Sequence, residues 1–90
     1  MSAAKTTTSI TIKVLLFAQL RDRFGADELA VALPQEATGA DLLSWLCGCN
    51  PNVAGLLGVS RLAVNCEYVP ADRELHEGDE VVILPPVSGG

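Results

Sequence analysis

The sequence predicts an α+β domain, one main helix packed on one face of a mixed sheet, followed by an extended tail that ends in Gly-Gly. Three observations predict it. Ile10 to Phe17 and Glu80 to Leu84 read as strands, the first alternating and the second rich in β-branched residues. Gly39 to about Cys47 carries an apolar stripe behind a helix-capping signature. Strand patterns stand on both sides of that helix, so helix and sheet are expected to form two layers. With 90 residues, of which 49% are apolar and 19% charged, the chain makes one small domain with a modest core and little interior for an enclosed catalytic pocket.

In chain order, Ile10, Ile12, Val14 and Leu16 alternate with Thr11 and Lys13. Leu15 and Phe17 then make the segment apolar on both faces, as in an interior strand. Leu20 and Phe24 lie at i and i+4 before Gly25, which predicts a short helix closed by a left-handed glycine. Leu29, Val31 and Leu33 alternate up to Pro34, a second strand antiparallel to the first. Thr38 and Asp41 form the [ST]-x-x-[DE] cap, Leu42, Leu43 and Leu46 the stripe, and Gly48 is expected to end the helix. Trp45 lies off the stripe and either covers its rim or meets a partner. Asn50-Pro51-Asn52 is a turn and Val53 to Gly58 one further helical turn. Leu62 and Val64 lead through a turn at Asn65-Cys66-Glu67 into Tyr68-Val69, a hairpin, and Glu77-Gly78-Asp79 turns the chain into the last strand. Residues 1–9 are expected to be a flexible leader, 10–84 the domain and 85–90 the tail.

Several function classes are excluded by charge and residue supply. Six basic and eleven acidic residues give a net charge of −5, so a phosphate backbone is a poor partner and no nucleic acid is expected. Six of the acids, Glu67, Asp72, Glu74, Glu77, Asp79 and Glu80, crowd one stretch, either a surface that steers a basic partner or a solvated face. The apolar runs are too short for a bilayer and the first residues lack a signal core, so no membrane is expected and the location is read as cytoplasmic. Cys47, Cys49 and Cys66 are odd in number and match no metal-ligand spacing, which predicts reduced, buried or half-buried thiols and no metal. His76 is the sole histidine, with no nucleophile beside it in sequence, and no glycine-rich phosphate loop is present. The chain is not expected to be an enzyme on its own.

The tail carries the chemistry. Pro85-Pro86 cannot continue a sheet ladder and favours an extended backbone, so Val87, Ser88, Gly89 and Gly90 are projected away from the domain. Six residues at about 3.3 Å each span on the order of 20 Å. Two terminal glycines remove every side chain that would obstruct a narrow channel, which leaves the Gly90 α-carboxylate as the reactive group. A carboxylate is a poor electrophile until an ATP-using partner converts it to an acyl-adenylate. Attack by sulfur then gives a thiocarboxylate, a sulfur donor, whereas capture by a thiol and then by a lysine amine gives a protein tag.

KVLLFAQLRDRFG near the start and LAVNCEYVPADRELHEGDEVVILPPVSGG at the end resemble the small, sulfur-carrying subunit of molybdopterin synthase, a ubiquitin-like β-grasp family. The resemblance covers residues 12 to 90, most specifically PPVSGG after GDEV. It implies that Gly90 is adenylated by a ubiquitin-activating-like adenylyltransferase with ATP and magnesium, then converted to a thiocarboxylate by a persulfide sulfur donor. It further implies docking on the synthase large subunit in a heterotetramer of two small and two large subunits, where sulfur passes to cyclic pyranopterin monophosphate to form the molybdopterin dithiolene. Carried over by residue, Gly90 bears the sulfur, Gly89 is the slim residue before it, and Pro85, Pro86, Val87 and Ser88 are the inserted arm; Phe17 either joins an apolar docking surface or is buried in the core. No bound cofactor is implied. A thiamine-pathway sulfur carrier and a ubiquitin-like protein modifier would use the same terminus on other acceptors.

Overall fold

Alternation along Ser9–Leu16 is strict enough that every second residue, Ile10, Ile12, Val14 and Leu16, is buried, and this segment forms strand β1. The computed structural model describes residues 9–86. The expected leader therefore lies outside the described residues except for Ser9, which opens β1 opposite Pro34. The strand starts one residue before the expected Ile10–Phe17 segment and ends one residue before its last apolar residue. Phe17 is the N-cap of helix α1 (Ala18–Phe24), and Ala18 at φ 53° turns the chain out of the sheet. Helix α1 buries Leu20 and closes on Gly25, whose left-handed backbone lets its N–H bond the Arg21 carbonyl at 2.9 Å.

Strand β2 (Glu28–Pro34) returns antiparallel to β1, from Leu15 opposite Glu28 to Ser9 opposite Pro34. Helix α2 (Gly39–Cys49) then lays Leu42 and Leu46 on the sheet. Its N-terminus is a full capping box: the Thr38 N–H donates to Asp41 Oδ2 at 2.8 Å, and the Asp41 N–H donates to Thr38 Oγ1 at 3.3 Å. Two further N–H groups of that first turn are taken by a loop distant in sequence, Gly39 to the Arg73 carbonyl at 3.0 Å and Ala40 to the Ala71 carbonyl at 2.7 Å.

The expected stop at Gly48 is corrected. Gly48 lies inside α2, and the helix ends where the Asn50 N–H bonds the Leu46 carbonyl and Pro51 starts a single 3-10 turn, Pro51–Val53. Asn50 holds this corner, its side chain accepting from the Asn52 N–H and donating to the Arg23 carbonyl. Glycine is tolerated at position 48 because the next turn is fixed from beyond it, at a cost of roughly 1 kcal/mol relative to alanine. The two glycines of α2 should therefore respond oppositely to alanine. A Cβ at Gly48 meets nothing within 4 Å, whereas one at Gly39 would lie 2.6 Å from Leu62 Cδ1 and 3.0 Å from the Ala71 carbonyl oxygen. Chemical denaturation is expected to find Gly48→Ala more stable by about 0.5–1 kcal/mol and Gly39→Ala less stable by about 1–2 kcal/mol; the same sign for both would refute the packing argument.

Helix α3 (Ala54–Gly58) buries Leu57 in the core. Strands β3 (Arg61–Val64) and β4 (Glu67–Val69) form the expected hairpin, with Val64 opposite Glu67, so the turn is the pair Asn65-Cys66 and Glu67 already belongs to a strand. Both turn residues have positive φ, 50° and 74°, the requirement of a two-residue turn that follows the twist of its strands. Strand β5 (Glu80–Leu84) enters between β1 and β3, parallel to the former and antiparallel to the latter. The order is β2-β1-β5-β3-β4, a mixed five-stranded sheet. One core joins its inner face to α2, with Ile12, Val14, Leu16, Val31, Leu42, Leu46, Val81 and Ile83 shielded from solvent.

Candidate functional site

Because β5 is an interior strand, its end fixes where the tail leaves the domain. Arg61 stands opposite Leu84, Leu16 stands opposite Ile83, and Pro85 and Pro86 follow outside the ladder, the first half-buried and the second exposed. Proline stops the strand here because it has no N–H for the ladder. The expected arm begins at this place; Val87, Ser88, Gly89 and Gly90 lie outside the described residues.

The outward face of the sheet, away from α2, is less polar than alternation alone requires. The register sets Leu15 beside Val82, Val82 beside Ala63 and Ala63 beside Tyr68, an apolar row across four strands. At the end where the tail leaves, Val59, Arg61, Tyr68, Leu84, Pro85 and Pro86 line a surface groove of about 400 Å³. Val59 and Tyr68 are 62% and 67% exposed, well beyond what core packing would leave. Contiguous exposed apolar surface on so small a domain marks a contact site.

Phe17 follows Leu16 at this same end and is 46% exposed, so it is available to a partner rather than buried in the core. Trp45 is 40% exposed on the opposite layer, beside a shallow depression formed with Leu33, Pro34 and Asp41, and does not join this surface. Sequence reasoning singled out Phe17 and missed Val59, Tyr68 and Leu84. Their signal was present in the strand period: Tyr68 and Leu84 occupy outward positions where a solvated sheet face would carry polar side chains.

The cysteines differ from expectation. Cys47 is half-buried, but Cys49 and Cys66 are exposed, the one ending α2 and the other sitting in the hairpin turn; all three are free thiols. Cys66 lies at the Glu80 end of β5, at the far end of that strand from the tail. If the terminus carries sulfur as the sequence resemblance implies, single exchanges of Cys47, Cys49 or Cys66 for serine are expected to leave that loading intact, which intact-mass measurement would check; a folded variant that no longer loads would put a thiol in the chemistry. Among the described residues no group of three or more His, Cys, Asp and Glu side chains is arranged to hold a metal ion. No helix among them is long and apolar enough to cross a membrane.

The acidic stretch is divided in two by the structure. Glu67, Asp72 and Glu74 are exposed, whereas Asp79 is buried and accepts hydrogen bonds from Asn65 Nδ2 at 3.0 Å and the His76 N–H at 2.8 Å. Exposed Glu77 accepts from the Thr11 N–H at 2.9 Å. His76 is on the surface, its ring nitrogens 3.7 Å from Glu74 and 3.9 Å from Asp79.

Comparison with known proteins agrees with this geometry. The model of the ThiS family matches residues 14–90. The molybdopterin synthase sulfur carrier subunit of Dictyostelium discoideum is 41% identical over 81 residues, covering 87% of this chain and 94% of that protein. Among solved structures, a putative molybdopterin converting factor, subunit 1, from Pyrococcus furiosus superposes with a TM-score of 0.79 at 31% identity, covering 87% of this chain and 99% of the other. Small archaeal modifier protein 1 from Methanosarcina acetivorans gives 0.78 at 27% identity, covering 92% and 99%. The fold is the ubiquitin-like β-grasp. With similarity running from the first strand through the terminal glycines, the chain belongs to the ThiS family and, within it, groups with the molybdopterin synthase sulfur carrier subunits.

Proposed function

We propose that this protein is the sulfur carrier subunit of molybdopterin synthase and that Gly90 is its reactive residue. An adenylyltransferase of the ubiquitin-activating type, using ATP and magnesium, would join the Gly90 carboxylate to AMP with release of pyrophosphate. The outer sulfur of a persulfide donor then attacks the acyl carbon, AMP leaves, and a thiol reductant splits the sulfur–sulfur bond to free the thiocarboxylate. Pro85 to Gly89 deliver it into the large subunit, where its sulfur passes to cyclic pyranopterin monophosphate on the way to the dithiolene. Two sulfurs are needed and each carrier brings one, so each dithiolene requires two deliveries; the assembly has two small and two large subunits. The carrier contributes reach and a reactive end group, and catalysis belongs to its partners.

The observation that carries this reading is the exit of the chain from an interior strand through Pro85-Pro86, at the edge of an exposed apolar groove with exposed Phe17 at the same end of the sheet, in a chain 41% identical to a molybdopterin synthase sulfur carrier subunit. An anchored strand gives the tail a fixed origin, and the apolar surface gives the partner something to hold. The decisive experiment is the intact mass after incubation with activating enzyme, ATP and a persulfide donor, for the native chain and for a Gly90 deletion. A gain equal to one oxygen exchanged for sulfur, seen only with Gly90, supports the carrier. A second reading, a protein modifier, draws on the likeness to small archaeal modifier protein 1; Gly90 joined to lysine side chains, with no sulfur gain, would favour it instead.

A further inference from the structure

Among the described residues Arg21, Arg23, Arg61 and Arg73 all lack an ion pair, and Arg61 is the one of them that lines the groove at the tail root. Its guanidinium carbon lies 5.3 Å from the centroid of the Tyr68 ring, and among the described residues the ion pairs engage Lys13 and His76 but not Arg61. Lys13, on the same face, is 4.0 Å from Glu80. A guanidinium held over an aromatic ring is already oriented, and its N–H edge remains free to grip a carboxylate in bidentate fashion. Around it the groove is otherwise apolar, with Val59, Leu84 and the proline pair at its walls.

We propose that this groove seats an acidic segment of the subunit that receives the tail: a carboxylate on the Arg61 guanidinium, with the neighbouring apolar side chain against Val59 and Leu84. The inference rests on the proposed function and adds the chemistry of the contact. Charge complementarity selects the occupant. A chain with net charge −5 draws basic surfaces from a distance, so an unmatched cation at the tail root works against that general attraction unless an acid meets it there. Such a local reversal of sign fixes register rather than encounter rate, because a partner shifted along the sheet would bring its carboxylate against Glu80. Arginine and tyrosine are also the residue types that dominate binding at interface centres.

The test is calorimetric titration of the synthase large subunit with wild type, Arg61→Lys, Arg61→Gln and Arg61→Glu, each at low and high salt, with thermal melts as the folding control. Affinity should fall about 10-fold for Arg61→Gln, further for Arg61→Glu and least for Arg61→Lys, and the salt dependence should flatten in Arg61→Gln. Unchanged binding by Arg61→Glu would overturn the acidic seat. Equal losses for Lys and Gln with the wild-type salt dependence would overturn it in favour of simple packing on Tyr68. Self-association of the wild type that Arg61→Glu abolishes would assign the groove to a second copy instead. A wild type that acquires sulfur but does not bind the large subunit would sink both this seat and the proposed acceptor, whereas binding without sulfur gain would sink the carrier chemistry alone.

Discussion

Deleting Gly90, or adding one residue after it, is expected to abolish molybdopterin formation while leaving the thermal unfolding midpoint unchanged. The reason is one of length. The origin of the tail is fixed by the β5 register, Leu84 opposite Arg61 and Ile83 opposite both Leu16 and Leu62, so the carboxylate stands a set number of residues from a rigid sheet. One residue more or less moves it by about 3.3 Å, and a misplacement of even 1 Å from the reacting geometry costs roughly 10²-fold in rate. The proline pair prevents the chain from absorbing the change by coiling, since each ring fixes φ. Stability is expected to be unchanged because, among the described residues, the ladder ends at Leu84. Synthesis of the cofactor by purified small and large subunits, with sulfur loading followed by mass, is the measurement. Substantial product from either variant would show that the chemistry does not depend on a terminal glycine at one reach.

Much of this was legible in the sequence, and for a physical reason: short-range rules decide it. The period of two in β1, the capping box at Thr38 and Asp41 and the left-handed Gly25 depend on neighbours within a few residues. The start of the tail was legible for the same reason, since Pro85-Pro86 ends β5 by a local rule. What could not be read was whatever depends on strand order. Nothing local states that β5 enters between β1 and β3, yet that insertion brings Arg61, Tyr68 and Val59 beside Leu84 and the prolines. The end of α2 was misjudged because Gly48 is a weak stop against the stronger corner at Asn50 and Pro51. Phe17 was placed in the strand because apolar character continues through it, while the backbone turns at Ala18.

Asp79 is where a local reading misleads most, and it should account for the largest loss of stability among the acids of its stretch. Counted by composition it is one of six acids on a charged surface; in the fold it is 8% exposed and closes a network. Its carboxylate accepts from Asn65 Nδ2 and from the His76 N–H, and its own carbonyl receives the Lys13 N–H at 2.9 Å. Asn65 in turn accepts from the Glu80 N–H and donates its own N–H to the Glu80 carbonyl. The β3–β4 turn, the start of β5 and the middle of β1 are thereby tied at one point. Asp79→Ala removes two charge-assisted hydrogen bonds and leaves donors without partners, a loss of about 2–3 kcal/mol. For a domain of this size the midpoint should fall by about 10 °C or more. Asp79→Asn, which keeps one acceptor, should fall in between, and an Asp79/Asn65 double-mutant cycle should show coupling. Sulfur loading well below the melting temperature should survive, because the network sits at the Glu80 end of β5 and the tail leaves from Leu84. If Asp79→Ala melts within a degree or two of wild type, the acids of this stretch share one role as a solvated surface and the network holds nothing together; if it melts early yet loads normally, β5 is anchored at one end so that its other end can present the tail.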